Sequence, residues 1–181
     1  MSRVPKLIFI NGPVSSGKTT LAQRYIDEHR MALHLNIDDF VGALGQWLDH
    51  EDEARTIAFG YLTAIAAKHL AAGYDVVVPF LLVRPEEAAA IERLTRDNQA
   101  EFYEFVLMLP REEAVKRAIA RGTWGEPGSP PLTADDRPIV EKLYDSVVAS
   151  LKQRPNAVKL VPVYGQEDAT YRELLGHLTD S

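Results

Sequence analysis

Apolar residues in this chain fall into two rhythms, short β-rich runs and longer stretches in which they recur every three or four positions. The runs are KLIFI (6–10), ALHLNI (32–37), DVVVPFLLV (75–83), EFYEFVLML (101–109) and AVKLVPV (157–163). The third is almost continuously apolar, as expected of a strand covered on both faces. Between the runs lie helical patterns. A helix is predicted from about Lys18 to Arg30, with Leu21, Ala22, Tyr25 and Ile26 on one face. An amphipathic stretch spans Asp38 to about His50, and a long helix over 52–72 carries Ile57, Tyr61, Ile65, Ala66 and Leu70 before a C-terminal cap at Gly73. Further helices open at Pro85, cover 111–121 with acids in the first turn and arginines in the last, and run over about 134–152 and 168–179.

Strands that alternate with helices predict an α/β fold: a five-stranded parallel sheet in three layers, with helices on both faces. No repeat or linker divides the sequence, so 1–181 reads as one domain. The segment GTWGEPGSPP (122–131) holds three glycines and three prolines, and in a compact domain such a stretch reads as a functional lid or a mobile loop, the lid here spanning about 117–137.

Composition narrows the classes. With no cysteine, disulfides and thiolate metal sites are excluded and a reducing compartment fits. The apolar runs are too short to span a bilayer and the N-terminus lacks a signal-peptide pattern, so a cytoplasmic location without membrane contact is expected. A net charge of −6 argues against a nucleic-acid partner. His29, His34, His50, His69 and His177 show no metal-ligand spacing and read as surface or packing residues.

The strongest chemical signal is NGPVSSGKTT. Gly12, Gly17, Lys18 and Thr19 satisfy G-x-x-x-x-G-K-[ST] between a predicted strand and a predicted helix. Such a loop turns successive N–H groups inward at the positive end of a helix and so cradles phosphates. Val14, Ser15, Ser16 and Thr20 complete the expected ATP-binding set; Lys18 would reach the β/γ oxygens, and the Thr19 hydroxyl would join a Mg²⁺ shell.

This loop, with NIDDF about twenty residues later, resembles the small P-loop kinases: the chloramphenicol phosphotransferase-like, shikimate and gluconate kinase-like and zeta-toxin-like ATP-binding kinases. The resemblance implies ATP and Mg²⁺ as cofactors and a small-molecule hydroxyl as acceptor. Asp38 and Asp39 lie at the carboxyl end of the second predicted strand, the edge where open α/β sheets bind ligands. A phosphotransferase needs a carboxylate there to deprotonate the hydroxyl. Asp38 matches the base of the chloramphenicol-kinase-like relatives, with Asp39 as its neighbour or a water-mediated metal contact; the alternative is that one of the two only caps a helix. The acid that nucleoside-monophosphate kinases carry at the end of the next strand is replaced by Pro79 and Phe80, and Asp75 stands at the wrong end.

The resemblance also implies a lid whose arginines, Arg117 and Arg121, clamp phosphates, with Arg121 at the transferring group and Arg137 as a third candidate. Trp124 reads as a stacking or hinge residue, and 163–170 as the segment around adenine. Phe40, Arg55 and Arg84, with Trp47, Phe59 and Tyr61, make an expected acceptor pocket of partly aromatic character. The resulting reading is a kinase for a small molecule, including antibiotics and other natural products. Its alternatives are a nucleoside or nucleotide kinase and a non-catalytic nucleotide switch. The absence of an N-K-x-D guanine motif weighs against a GTPase switch. Oligomeric state, a homodimer included, is left open.

Overall fold

The computed structural model describes residues 3–163 and 165–178. Its centre is a parallel sheet of β1 (Lys6–Asn11), β2 (Leu33–His34), β3 (Val76–Phe80), β4 (Glu101–Leu107) and β5 (Val158–Leu160), in the order β2-β3-β1-β4-β5. β1 lies in the middle, with Leu7 opposite Val76 on one side and Phe102 on the other. All six residues of β1 and all five of β3 are buried, which is why both read as nearly unbroken apolar runs.

The helices are α1 (Lys18–Glu28), α2 (Ile37–Gly42), α3 (Glu51–Ala71), α4 (Pro85–Asp97), α5 (Arg111–Arg121), α6 (Arg137–Leu151) and α7 (Glu167–His177). One face of the sheet packs Leu7, Phe9, Val76, Val78 and Phe80 against α2, α3 and α4. The other packs Ile8, Ile10, Val77, Phe105 and Leu107 against α1 and α7. A third, smaller cluster joins Val115 and Ala118 of α5 to Leu132 and Val140. No helix among the described residues is long and apolar enough to cross a membrane.

Several boundaries differ from the sequence expectation. The second strand shrinks to two residues because Asn36 caps α2, its side chain accepting from the Asp38 N–H at 3.4 Å. The cap is therefore Asn36 and neither aspartate. The third strand stops at Phe80, since the Leu82 N–H leaves the ladder and donates to Asn11 Oδ1 at 3.0 Å. The fourth ends at Leu107, and the fifth at Leu160; Val161 and Val163 are exposed beyond it. The stretch 38–50 is not one helix: after Gly42 the chain breaks, Gln46 takes φ 58, and a single 3-10 turn follows at Trp47–Asp49. A second such turn, Ala134–Asp136, precedes α6.

The buried face of α3 is Ala54, Ala58, Leu62, Ala66 and Leu70, one stripe at four-residue spacing. Ile57, Tyr61 and Ile65, expected on that face, are exposed. The inward stripe is built from three alanines with Leu62 and Leu70, and it joins the core cluster shared with α2 and α4. The last helix begins at Glu167 and ends at His177; Thr179, within the expected range, lies outside the described residues.

Candidate active site

β1 delivers the chain directly into the loop 12–17, and α1 starts at Lys18. Gly12 has φ 148, and a Cβ there would lie 2.5 Å from the Leu107 carbonyl oxygen, so neither the angle nor the space admits a side chain. Gly17 has φ 97 with nothing within 4 Å of a Cβ position: its requirement is the backbone angle, and the space beside it is open. Ser15 is left-handed as well, at φ 59. Asn11 holds the loop's root, its Oδ1 accepting from the Gly12 N–H at 2.7 Å.

Lys18 Nζ folds back over this loop and donates to the Gly12 and Pro13 carbonyl oxygens at 2.9 and 2.7 Å. Burial pushes its ammonium down to about 7; Asp38 opposes that shift and Arg121 adds to it. The hydroxyls of Ser15 and Ser16 are buried without a hydrogen-bond partner. Buried donors without acceptors, a loop of inward-turned backbone and a lysine resting on carbonyls form a cradle suited to phosphate oxygens.

A cavity of about 200 Å³ lies over this cradle, lined by residues 15–20 and Arg121. It shares Ser15, Lys18, Thr19 and Arg121 with a larger cavity of about 520 Å³. The larger space runs along the carboxyl end of the sheet, past Asp38, Phe80, Arg55 and Arg84, and under the lid at Trp124 and Glu126. Asp38 stands in the first turn of α2 on the wall of this space. Burial pushes its carboxyl up to about 6, helped by Glu126 and opposed by Lys18 and Arg55.

The family model described as an AAA domain matches residues 7–133, from the first strand through the lid. The chain belongs to that family. Among solved structures, this AAA domain is similar to a Chloroflexus aurantiacus protein described as a candidate kinase, with TM-score 0.69, 18% identity, and coverage of 97% of this chain and 100% of that one. It is similar to the Deinococcus radiodurans tunicamycin resistance protein, with TM-score 0.60, 16% identity and 98% coverage of each chain. A chain from the Pnkp1/Rnl/Hen1 RNA repair complex matches with TM-score 0.59 and 19% identity over 84% of this chain, which spans only 47% of that longer one. No curated protein sequence matches. At these identities the structures show the fold, that of the small P-loop kinases.

The AAA domain brings many of the expected residues together. Val14, Ser15, Lys18, Thr19, Asp38, Arg55, Arg84, Arg121 and Trp124 all line the larger cavity. Val14 also packs against the small cluster of α5 and α6, which links the phosphate loop to the lid's base. Arg121 donates to the Thr123 and Trp124 carbonyl oxygens, and so fixes the start of the lid while facing both cavities. Arg55 lies 5.4 Å over the Phe80 ring and 3.4 Å from Glu87, with its Nε buried and unpartnered. Arg84 pairs with Asp52 at 2.7 Å.

Other residues fall elsewhere. Asp39 is exposed and lines neither cavity. Arg117 pairs with Glu113 at 2.6 Å, and Arg137 with Glu112 and Glu141; both stay off the cavity walls. Phe40 packs on the core and meets Tyr61 edge-on, and Phe59 packs on Phe80. Of the expected aromatics, Trp47 and Trp124 face the cavity, joined by Phe80. Residues 163 and 165–170 line neither cavity, and Tyr164 lies outside the described residues. Sequence reasoning missed Glu126, Ser129, Pro130, Ile139 and Leu143 on the wall. Only Glu126 had a signal, as the one acid inside the glycine- and proline-rich segment.

Among the described residues, no group of three or more His, Cys, Asp or Glu side chains is placed to hold a metal. His29 stacks on Tyr25, and His69 meets the Met31 carbonyl oxygen. The exposed Thr19 hydroxyl, at the junction of the two cavities, fits a Mg²⁺ that arrives with a nucleotide.

Proposed function

We propose that this chain is an ATP-dependent kinase that transfers a terminal phosphoryl group to a hydroxyl of a small molecule. The observation that carries the reading is the junction of the two cavities. A phosphate cradle opens, through Lys18, Thr19 and Arg121, into a larger space whose wall holds Asp38. A bare nucleotide switch has no need of that second space.

The residues divide the work. The backbone of 12–17 and the start of α1 hold the phosphates, and Lys18 exchanges its two carbonyl partners for phosphate oxygens. Thr19 contributes a hydroxyl to the nucleotide's Mg²⁺, an ion whose chemistry is to neutralise charge on the phosphates. Arg121, facing both spaces, meets charge on the group in transit. Asp38 orients the acceptor hydroxyl and takes its proton.

The acceptor end also favours a class. Arg55 and Arg84 are each matched by a carboxylate, Glu87 and Asp52, while Asp38, Glu51 and Glu126 add three more acids. Beyond Lys18 and Arg121 at the phosphate cradle, the wall offers a doubly charged phosphate acceptor no cation that is not already paired. A neutral or cationic molecule with an apolar body suits walls built from Trp47, Leu48, Phe80, Val83, Ile139 and Leu143. Antibiotics and other hydroxylated natural products belong to that class; nucleoside monophosphates do not.

The test is acceptor-stimulated release of ADP from Mg·ATP, screened against sugars, shikimate-like acids, aminoglycosides, chloramphenicol, nucleosides and UDP-sugars. We expect stimulation by a neutral or cationic compound, and a loss of about 10³-fold or more in Lys18→Ala. Full turnover in Lys18→Ala would remove the phosphate site from the reading. Nucleotide-dependent partner binding, with no acceptor-stimulated ADP release, would replace the kinase with a switch.

A further inference from the structure

The lid has a stem and a tip. At the stem, the Leu132 N–H donates to the Gly122 carbonyl oxygen at 3.1 Å, and Thr123 bridges Pro131. The tip is a four-residue turn from Glu126 to Ser129, closed by the Ser129 N–H donating to the Glu126 carbonyl oxygen at 3.1 Å. Pro127 and Gly128 hold its two middle positions, with Gly128 at φ 84, the residue choice of a type II turn. Proline fixes its own φ, so the tip is stiff before it touches anything.

This tip rests on the elements that carry the acceptor wall. Gly42, the last residue of α2, has a helical backbone that asks for no glycine. Alanine would strengthen the helix. Its cost is a clash, because a Cβ at position 42 would lie 2.5, 2.8 and 2.9 Å from Cδ, Cβ and Cγ of Pro127. Gly128 comes beside Trp47, with a Cβ position 3.8 Å from the indole Nε1. Gly125 approaches Asp38, with a Cβ position 3.1 Å from Oδ2. Three successive parts of the lid therefore meet three points on the acceptor side, and the tightest of them is the proline on the glycine.

We propose that Gly42 is the seat on which the lid closes, and that Pro127 in that seat positions Gly125 and Glu126 over Asp38. Gly42 and Pro127 are positioning residues: neither touches reacting atoms, and together they set the height of the lid above the base. The kinase reading enters only in what the closed lid covers, the acceptor hydroxyl and Asp38. Closure of this kind excludes water from the reacting group.

The chain carries its own reporters, since its two tryptophans, Trp47 and Trp124, both line the cavity beneath the lid. Acrylamide quenching of their fluorescence, with and without Mg·AMPPNP, reads the lid's height without any turnover. In Gly42→Ala we expect the quenching constant to rise about twofold, in either condition, as the added methyl lifts Pro127. Thermal unfolding should stay level or rise, because alanine favours the helix. The double variant Gly42→Ala with Pro127→Gly should quench more like wild type, since the ring that the methyl displaced is gone. Wild-type quenching in Gly42→Ala overturns the proposal, and so does a double variant as accessible as Gly42→Ala alone. Failure of the wild-type chain to bind Mg·AMPPNP would count against the kinase reading and leave the quenching comparison intact.

Discussion

Two carboxylates at opposite ends of the sheet, Asp75 and Asp38, stand in opposite circumstances. At the amino end, Asp75 is 3% exposed and receives three donors: Arg3 at 2.7 Å, the Tyr25 hydroxyl at 2.7 Å and the Lys6 N–H at 2.8 Å. At the carboxyl end, Asp38 has its charge opposed by burial and by Glu126, and the charges of Lys18 and Arg55 relieve it in part. The first arrangement satisfies a charge until nothing is left for it to do. The second keeps a carboxyl ready to accept a proton. On the proposed reading, burial alone does not separate a structural acid from a reactive one. The count of donors does.

The comparison can be broken by substitution at either end. Asp75→Ala leaves the Tyr25 hydroxyl and the Lys6 N–H without an acceptor, and should cost about 3–5 kcal/mol of stability by denaturant titration. Turnover per folded molecule should not change. Asp38→Asn should behave in reverse: about a 10²-fold loss of phosphotransfer, some 2.7 kcal/mol of barrier, with ATP still bound. A lost fold in Asp38→Asn, or lost turnover in folded Asp75→Ala, would erase the distinction.

The pH dependence sharpens the same contrast. Because the Asp38 carboxyl is raised from 3.8 to about 6, it stays protonated up to that pH, and the rate should climb as pH rises through 6. Stability carries the opposite sign. The fold prefers the protonated form, so that contribution is full below the ordinary carboxylate value and is lost as pH rises through 6. Asp38→Asn should therefore gain stability relative to wild type between about pH 4 and 6. The smallest expected effect belongs to Lys18. Its ammonium lies at about 7, so nucleotide phosphates that favour the charged form should draw a fraction of a proton onto it at pH 7.5 and above. Calorimetry of Mg·ADP binding in two buffers of different ionisation enthalpy measures that uptake, and none would remove Lys18 from the shifted groups.

Much of the molecule was legible in the sequence because local rules and the fold agree. β1, the phosphate loop and α1 follow from one apolar run, two glycines and a lysine, and the extent of α5 matches its pattern residue for residue. The α3 stripe was not legible, because an alanine's small size matters only once its neighbour is known. Nor was the acceptor wall. Ile139 and Leu143 reach it from α6, through tertiary packing that no local spacing encodes. The arginine positions divide in the same way: Arg117 and Arg137 pair with glutamates and line neither cavity, while Arg121 faces both.

One last consequence comes from Arg154. Just beyond α6, it ties the chain to Glu104 of β4 and Glu92 of α4 at 2.6 and 2.9 Å. Everything between Pro110 and that tie, meaning α5, the lid and α6, has a small apolar cluster of its own. It also supplies Arg121, Trp124, Glu126, Ser129, Pro130, Ile139 and Leu143 to the larger cavity. The segment is moored to the sheet at its ends and packs on its own cluster, which Val14 of the phosphate loop also joins, while its tip rests on Gly42. On the proposed reading, a change of acceptor can be written in part into these roughly forty residues with the nucleotide loop left as it is, while Trp47, Phe80 and Val83 keep the rest of the wall on the sheet side.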